Sequence, residues 1–128
     1  MRSKKQILVV DEKDVADTLA ILLRIKGFET AVAYSGSEAI SHLKAHPIDA
    51  ALIAICLYDI SGAKFAEIIK TAMMSPPLLI AQSCHQQAAD RMTRFNEGFA
   101  AHLVKPGDTD ILVNLLNNLL WPALNGVL

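Results

Sequence analysis

Residues 6–12 read QILVVDE, with four consecutive apolar residues followed by two carboxylates. An apolar run without alternation is typical of a parallel strand that is buried on both of its faces. Four further stretches share this short, apolar character, at residues 30–33, 50–55, 78–82 and 101–104. We interpret all five stretches as strands, the first of which ends at Val10.

Amphipathic stretches separate the predicted strands. Each has apolar residues three or four positions apart, which places them on one helix face. The first stretch ends at Gly27, and the second begins with a capping box of Ser35 and Glu38 and ends before Pro47. The later helices are predicted from the apolar positions Phe65, Ile68, Ile69 and Ala72, then Ala88, Met92 and Phe95, and finally Leu112, Leu115, Leu116 and Leu119.

The alternation of strands and helices predicts an α/β fold. Its sheet is doubly wound and parallel, with helices on both faces. A chain of 128 residues, of which 52% are hydrophobic, has the size and the core material of one compact domain. We therefore expect residues 1–128 to form a single domain with a core of about residues 5–120.

Charge and hydropathy exclude several classes of protein. The chain has 12 Lys and Arg against 13 Asp and Glu, so no basic excess points to nucleic acid or to an anionic membrane surface. The longest apolar run, residues 50–58, is far shorter than the ~20 residues of a membrane-spanning helix. With two cysteines and no export signal, we expect a cytoplasmic location and no membrane partner.

Polar residues follow the predicted strands. In a doubly wound sheet, chemistry lies at the carboxyl ends of the strands, beside the point where the strand order reverses. Asp11 and Glu12 follow the first strand, Ser83 the fourth and Lys105 the fifth. Carboxylates are ligands for Mg²⁺, while a hydroxyl and an ammonium bind phosphoryl oxygens. Together these residues indicate a phosphoryl site.

The chain resembles the receiver domain of two-component response regulators over residues 5–120. Four stretches carry the resemblance: ILVVDE at 7–12, GF at 27–28, IDAALIAICLYDISG at 48–62 and GFAAHLVKP at 98–106. The resemblance implies a flavodoxin-like (βα)5 fold with five strands in the order 2-1-3-4-5. It also implies the family's reaction, in which a phosphoryl group passes from a histidine kinase to an aspartate of the receiver with the help of Mg²⁺.

The resemblance assigns a metal site to this chain. Asp11 and Glu12 fall on the family's metal-binding pair, and the backbone carbonyl of Cys56 falls on its third ligand. Because a receiver normally adds a further carboxylate that is absent here, we expect Mg²⁺ to bind weakly if it binds at all.

The resemblance also assigns the residues that would contact a phosphoryl group. Ser83 falls on the conserved Ser/Thr position, and we prefer it to Gln82 because its interval of 22 residues to Lys105 is usual in the family. Lys105 falls on the conserved lysine, and His102 on the aromatic switch position.

The family's phosphoacceptor aspartate is replaced by Ala54, and Tyr58 stands where proline is usual. Alanine has no nucleophilic atom, so the usual aspartyl-phosphate cannot form and no catalytic residue is competent. Asp59 is the nearest substitute in sequence, but it follows the strand at too great a distance from the lysine. Two explanations stay open: a naturally atypical receiver that regulates through protein contacts, or an ordinary receiver in which the aspartate was replaced by engineering.

We infer the binding partners of this chain from the family resemblance and from the apolar character of the last predicted helix. We expect a histidine kinase, a phosphotransfer protein or another regulatory domain as partner, and a longer multidomain protein as the source of this chain. Seven of residues 111–120 are Ile, Leu or Val, which predicts an apolar surface for a homodimer. The interface residues would be Leu112, Leu115, Leu116 and Leu119, unless the tail at 121–124 folds back over them.

Two remote alternatives use a related sheet. A haloacid-dehalogenase-type phosphatase needs an aspartate two residues after its nucleophile, where this chain has Lys13. A flavodoxin-like FMN-binding protein needs a phosphate loop after the first strand, where the acidic residues of DEKDVAD at 11–17 would repel phosphate.

Overall fold

The computed structural model describes residues 4–55, 59–83, 99–104 and 109–121. The strands are β1 (Gln6–Val10), β2 (Glu29–Ala33), β3 (Ala50–Ala54), β4 (Leu78–Ser83) and β5 (Ala101–Val104). The described helices are α1 (Lys13–Ile25), α2 (Gly36–Ala45), α3 (Gly62–Ala72) and α4 (Thr109–Leu120). The helix predicted from Ala88, Met92 and Phe95 lies outside the described residues.

The five strands form one parallel sheet in the order β2-β1-β3-β4-β5. This confirms the predicted α/β fold and its strand order. Strand order reverses between β1 and β3, because the chain moves to one side for β2 and to the other for β3. The carboxyl ends of β1 and β3 therefore meet at the switch point, where doubly wound sheets bind their ligands.

Both faces of the sheet are buried, as the unbroken apolar runs predict. In β1, Leu8 and Val10 pack on the side of α2 and α3, while Ile7 and Val9 pack on the opposite side against α1 and α4. All four side chains are fully buried. At about 25 cal/mol per Å² of apolar surface removed from water, this double burial is the main force that holds the sheet and helices together.

Helix α1 ends at Ile25, two residues before Gly27, the glycine that predicted its end. Gly27 has a φ of 102°, which a residue with a side chain adopts only at a cost. The backbone N–H of Gly27 donates to the carbonyl of Arg24, and that of Phe28 donates to Leu23. These bonds satisfy carbonyls in the last turn of α1 and direct the chain into β2.

The apolar residues of α4 divide between the core and its margin. Leu112 and Leu116 are buried in the core, while Leu115 and Leu119 are half-buried against it. The large apolar side chain of α4 that is exposed is Ile111, at 59%. Two of the four residues predicted for a dimer interface therefore stabilise the fold itself. A partner that binds this helix would contact the exposed and half-buried residues at the edge of the core.

The start of the C-terminal tail folds back on the domain. The ring of Trp121 lies 6.4 Å from that of Phe28 between centroids, and the Lys5 ammonium lies 5.5 Å from the Trp121 centroid. Trp121 thus covers part of the core on the side of α1 and α4, whereas residues 122–124 lie outside the described residues. Among the described helices, none is long and apolar enough to cross a membrane.

Candidate functional site

Strand register brings the predicted site residues to one edge of the sheet. Val10 of β1 pairs with Ile53 of β3, so Asp11 and Ala54 are the next positions along these neighbouring strands. Ala54 pairs in turn with Gln82 of β4. The edge therefore presents a carboxylate, a methyl group and an amide side by side across three adjacent strands.

Asp11 is held in place by the turn that follows β1. Its side chain is only 6% exposed, and its Oδ1 accepts a hydrogen bond of 2.8 Å from the backbone N–H of Glu12. The backbone N–H of Asp11 donates to the carbonyl of Ala33 on β2, which extends the pairing of β1 and β2 by one bond. Asp11 is therefore a buried, fixed carboxylate and not part of a solvated turn, as the hydrogen bonding of buried charges requires.

Glu12 is the N-terminal cap residue of α1, with an extended backbone and an exposed side chain. Its side chain makes no capping hydrogen bond to the helix.

The residue after Glu12, Lys13, forms a salt bridge with Asp17 one helical turn later, with 2.8 Å between Nζ and Oδ2. Tyr34 donates its hydroxyl to the other oxygen of Asp17 at 2.7 Å. Hydrogen bonds from Lys13 and then from Tyr34 hold the pKa of the Asp17 carboxyl below its ordinary value.

Ala54 is the last residue of β3 and is only 6% exposed. Its methyl group thus occupies the centre of the edge and supplies no oxygen or nitrogen there. Gln82 is also buried, at 7%, and is paired directly with Ala54. Since paired residues on neighbouring strands share a face, the amide of Gln82 lies on the same face as the Ala54 methyl.

The pairing bears on the choice between Ser83 and Gln82. Sequence spacing favours Ser83 for the hydroxyl position, but Ser83 pairs with Val104 rather than with a residue of β3. Gln82 is thus the residue paired with position 54, and Ser83 is the next residue along β4. The side chain of Ser83 lies outside the described residues, so its predicted contact with a phosphoryl group stays a prediction.

The carboxylate of Asp59 is bound to the start of α2, which bears on its role as a substitute acceptor. Its carboxylate accepts hydrogen bonds of 2.9 Å from the backbone N–H groups of Gly36 and Ser37, in the first turn of α2. The bond from Gly36, with help from that of Ser37, holds the pKa of the Asp59 carboxyl below its ordinary value. Asp59 therefore caps α2 from another loop.

The contact between this loop and α2 also depends on a glycine. A Cβ atom at position 36 would clash with the side chain of Ile60 unless that side chain moved, so glycine favours the close approach of the loop after β3. Ser35 accepts a bond from Glu38, as the predicted capping box requires, and Glu38 in turn accepts from the backbone N–H of Tyr34. The first turn of α2 is thus capped by two segments of the chain.

His102 lies on β5 with a half-buried side chain, and its ring is 5.9 Å from that of Phe99 between centroids. Its Nε2 atom is buried, and no described residue hydrogen bonds to it. The prediction that His102 is a switch residue is not tested by this position. Lys105, Cys56 and Tyr58 lie outside the described residues, so their predicted roles at the site stay predictions.

The described residues fit a metal ion only in part. Asp11 and Glu12 offer two carboxylates at the edge, but Ala54 offers no third ligand between them and β4. In the part of the chain that the structure describes, no group of three or more His, Cys, Asp or Glu side chains is placed to hold a metal. A hard cation such as Mg²⁺ depends on the number and charge of its oxygen ligands, and Asp11 and Glu12 are the carboxylates that the described part of this edge would supply.

Comparisons with known proteins agree with this geometry. A family model described as the response regulator receiver domain matches residues 7–117. The chain therefore belongs to the response regulator receiver family. Receiver domains are modules of two-component signalling that typically bind Mg²⁺ at their phosphorylation site.

Curated relatives are similar over most of this chain. The regulatory protein VanRc of Enterococcus gallinarum is 29% identical over 104 residues, which cover 81% of this chain and 44% of that protein. The transcriptional regulatory protein ZraR of Salmonella typhimurium is 30% identical over 122 residues, which cover 94% and 27%. The autoinducer sensor kinase/phosphatase CqsS of Vibrio cholerae is 28% identical, with coverages of 88% and 17%. The chain thus spans less than half the length of each of these relatives.

Solved structures share the fold along nearly their whole length. A CheY-like receiver domain from Methylobacillus flagellatus has a TM-score of 0.81 and 26% identity, covering 91% of this chain and 98% of that one. The response regulator TrrA of Thermotoga maritima, solved in complex with Mg²⁺ and BeF, has a TM-score of 0.79 and 24% identity, with coverages of 91% and 99%. These likenesses agree with the doubly wound sheet and its strand order.

Proposed function

We propose that this chain is a receiver domain that cannot form the usual aspartyl-phosphate and that regulates through contacts with other proteins. The buried methyl group of Ala54 carries the proposal, because it occupies the strand end next to Asp11 where the family resemblance places the phosphoacceptor. In the family reaction, a carboxylate oxygen attacks phosphorus as the bond to the kinase histidine breaks. A methyl group has no lone pair with which to make that bond.

The engagement of Asp59 supports the same proposal. A carboxylate that already accepts backbone N–H groups from α2 would have to leave them to attack phosphorus. Those bonds favour its charged form but direct its oxygens at the helix and not at the edge beside Asp11. Asp59 therefore serves the structure of the loop and does not replace the missing acceptor.

Weak Mg²⁺ binding belongs to the same proposal. Asp11 and Glu12 keep two of the family's ligands, and the carbonyl of Cys56 would add a third without charge. Loss of the acceptor carboxylate removes a charged ligand from the centre of the site. This chain would then bind Mg²⁺ more weakly than receivers that retain all of their carboxylates.

The partners we propose are other signalling proteins: a histidine kinase, a phosphotransfer protein or another regulatory domain. The relatives support this range, because the chain is similar to parts of two regulatory proteins and of a sensor kinase/phosphatase. Since it spans less than half of each, we also propose that it acts within a longer protein. Neither nucleic acid nor a membrane is a proposed partner, and we propose a cytoplasmic location.

A homodimer through α4 is the self-association we propose. Ile111 is 59% exposed, and Leu115 and Leu119 are half-buried at the margin of the same helix. We expect sedimentation velocity to show a dimer at high protein concentration, and Ile111→Glu to shift it toward monomer by placing a charge in the interface. Thr18→Glu, an exposed change on α1, is the matched control. A monomer at every concentration would contradict the proposal.

Beryllofluoride tests the loss of phosphorylation without a phosphodonor. It mimics a phosphoryl group only where a carboxylate oxygen can bind beryllium. We expect amide NMR spectra of this chain with Mg²⁺ to be unchanged when beryllofluoride is added. A saturable change at residues of β3, β4 and β5 would show that an acceptor is present and would contradict the proposal.

A further inference from the structure

A histidine pair lies at the far end of α2 from the phosphoryl edge. The rings of His42 and His46 are 4.5 Å apart between centroids, with 34° between their planes. They stand one helical turn apart, and the backbone N–H of His46 donates to the carbonyl of His42. We propose that these two side chains bind one divalent transition-metal ion of the class that prefers imidazole, such as Ni²⁺, Cu²⁺ or Zn²⁺.

The pair spans the C-terminal end of α2: His42 lies in the last turn of the helix, and His46 is its C-cap residue with an extended backbone. The proposal therefore rests on the proximity of the two rings and not on helical spacing alone, since two neighbouring imidazoles can bind one metal ion. An imidazole nitrogen binds such an ion at about 2.0–2.1 Å, which places the ion about 3.2 Å from the ring centroid. Two rings at a right angle around one ion would then have centroids about 4.5 Å apart. The observed separation of 4.5 Å therefore needs rotation of the rings but no displacement of the helix.

The surroundings of the pair are open and polar. His42 is half-buried and His46 exposed, and both line a surface depression that also contains Glu38 and Ser41. Solvent can therefore reach the ion and fill the remaining coordination positions. Among the described residues no third His, Cys, Asp or Glu joins the pair, so the site supplies two protein ligands and water supplies the others.

This site is separate from the phosphoryl edge. Helix α2 begins beside Asp59 at the carboxyl end of the sheet, and His42 and His46 lie about 9–15 Å further along it. Imidazole ligands also select a different class of metal from the oxygen ligands of Asp11 and Glu12. The two sites would thus take up different ions.

Calorimetric titration of the untagged chain with Ni²⁺ tests the proposal. We expect about one Ni²⁺ per chain at this site. In both His42→Gln and His46→Gln the affinity for Ni²⁺ should fall at least about tenfold, because each variant loses one of the two chelating ligands. Ser41→Ala, on the same exposed face, should bind as the unchanged chain does. Mg²⁺ should give no heat that depends on either histidine.

Paramagnetic broadening locates the ion independently of its affinity. Ni²⁺ should broaden the imidazole NMR signals of His42 and His46 before those of His102, which is half-buried on β5. Circular dichroism of the glutamine variants should match that of the unchanged chain, since neither His42 in the last turn of α2 nor the C-cap residue His46 is fully buried. The proposal is overturned if the chain does not bind Ni²⁺, or if both glutamine variants bind it with unchanged affinity. Unchanged affinity would mean that the rings only stack on each other.

Discussion

Ala54→Asp is expected to take up one phosphoryl group from acetyl phosphate in the presence of Mg²⁺, where the unchanged chain takes up none. The new carboxylate would stand at the end of β3, next in register to Asp11 and paired with Gln82. It would supply both the nucleophilic oxygen and the missing charged metal ligand. Intact-mass spectrometry after a timed incubation measures the uptake, and calorimetry should show tighter Mg²⁺ binding.

Ala54→Asn is the matched control, because its side chain has nearly the size of aspartate but neither its charge nor its nucleophilic carboxylate. It should remain unmodified under the same conditions. An aspartate variant that folds and still takes up no phosphoryl group would contradict this prediction. Its failure would mean that the pocket has changed beyond position 54.

Phe65→Ala is expected to reduce the free energy of unfolding by about 3–5 kcal/mol. Phe65 is fully buried in the core that joins α3 to the sheet. Its removal would leave a cavity beneath the helix that follows the edge loop. A domain of this size is stable by about 5–15 kcal/mol, so the loss would be a large part of the total. Urea denaturation followed by fluorescence or circular dichroism measures it.

Met74→Ala is the control for that measurement. Met74 lies just after α3 and is fully exposed, so its truncation should change the free energy of unfolding by no more than about 0.5 kcal/mol. If Phe65→Ala costs less than about 1 kcal/mol, α3 is not packed on the sheet in the way described, since a full cavity in this core would cost several times more.

Local patterns in the sequence were sufficient to predict the strands and the α/β fold class. The apolar runs predicted β1 and β5 to the residue, and the capping box at Ser35 predicted the start of α2. The spacing of apolar residues and the capping residues are local properties of the sequence. Because helices cover both faces of this sheet, an unbroken apolar run indicates one of its strands. The strand order required the resemblance to receivers, because the sequence of strands along the chain does not determine their neighbours.

Other features depend on contacts between distant segments. The cap that Asp59 provides for Gly36 joins residues 23 positions apart, and nothing in either local sequence predicts it. The pairing of Ala54 with Gln82 also joins distant parts of the chain, and spacing along the sequence could not reveal it. Helix periodicity likewise did not show that Leu112 and Leu116 face the core while Ile111 faces solvent.

The histidine pair is a different case, because its signal was present in the sequence. His42 and His46 are four residues apart in a stretch predicted to be helical, which is the spacing of a chelating pair. Only the adjacency of the two rings at 4.5 Å made the pair a candidate site.

The mass of the unchanged chain after incubation with acetyl phosphate and Mg²⁺ tests the central claim most directly. Because Ala54 leaves no nucleophilic oxygen at the end of β3 and Asp59 caps α2, we predict the same mass as before incubation. A receiver domain that retains its phosphoacceptor aspartate, treated in parallel with the Ala54→Asp variant, shows that the phosphodonor is active. Addition of one phosphoryl group to the unchanged chain would contradict the account, and peptide mapping would then identify the acceptor.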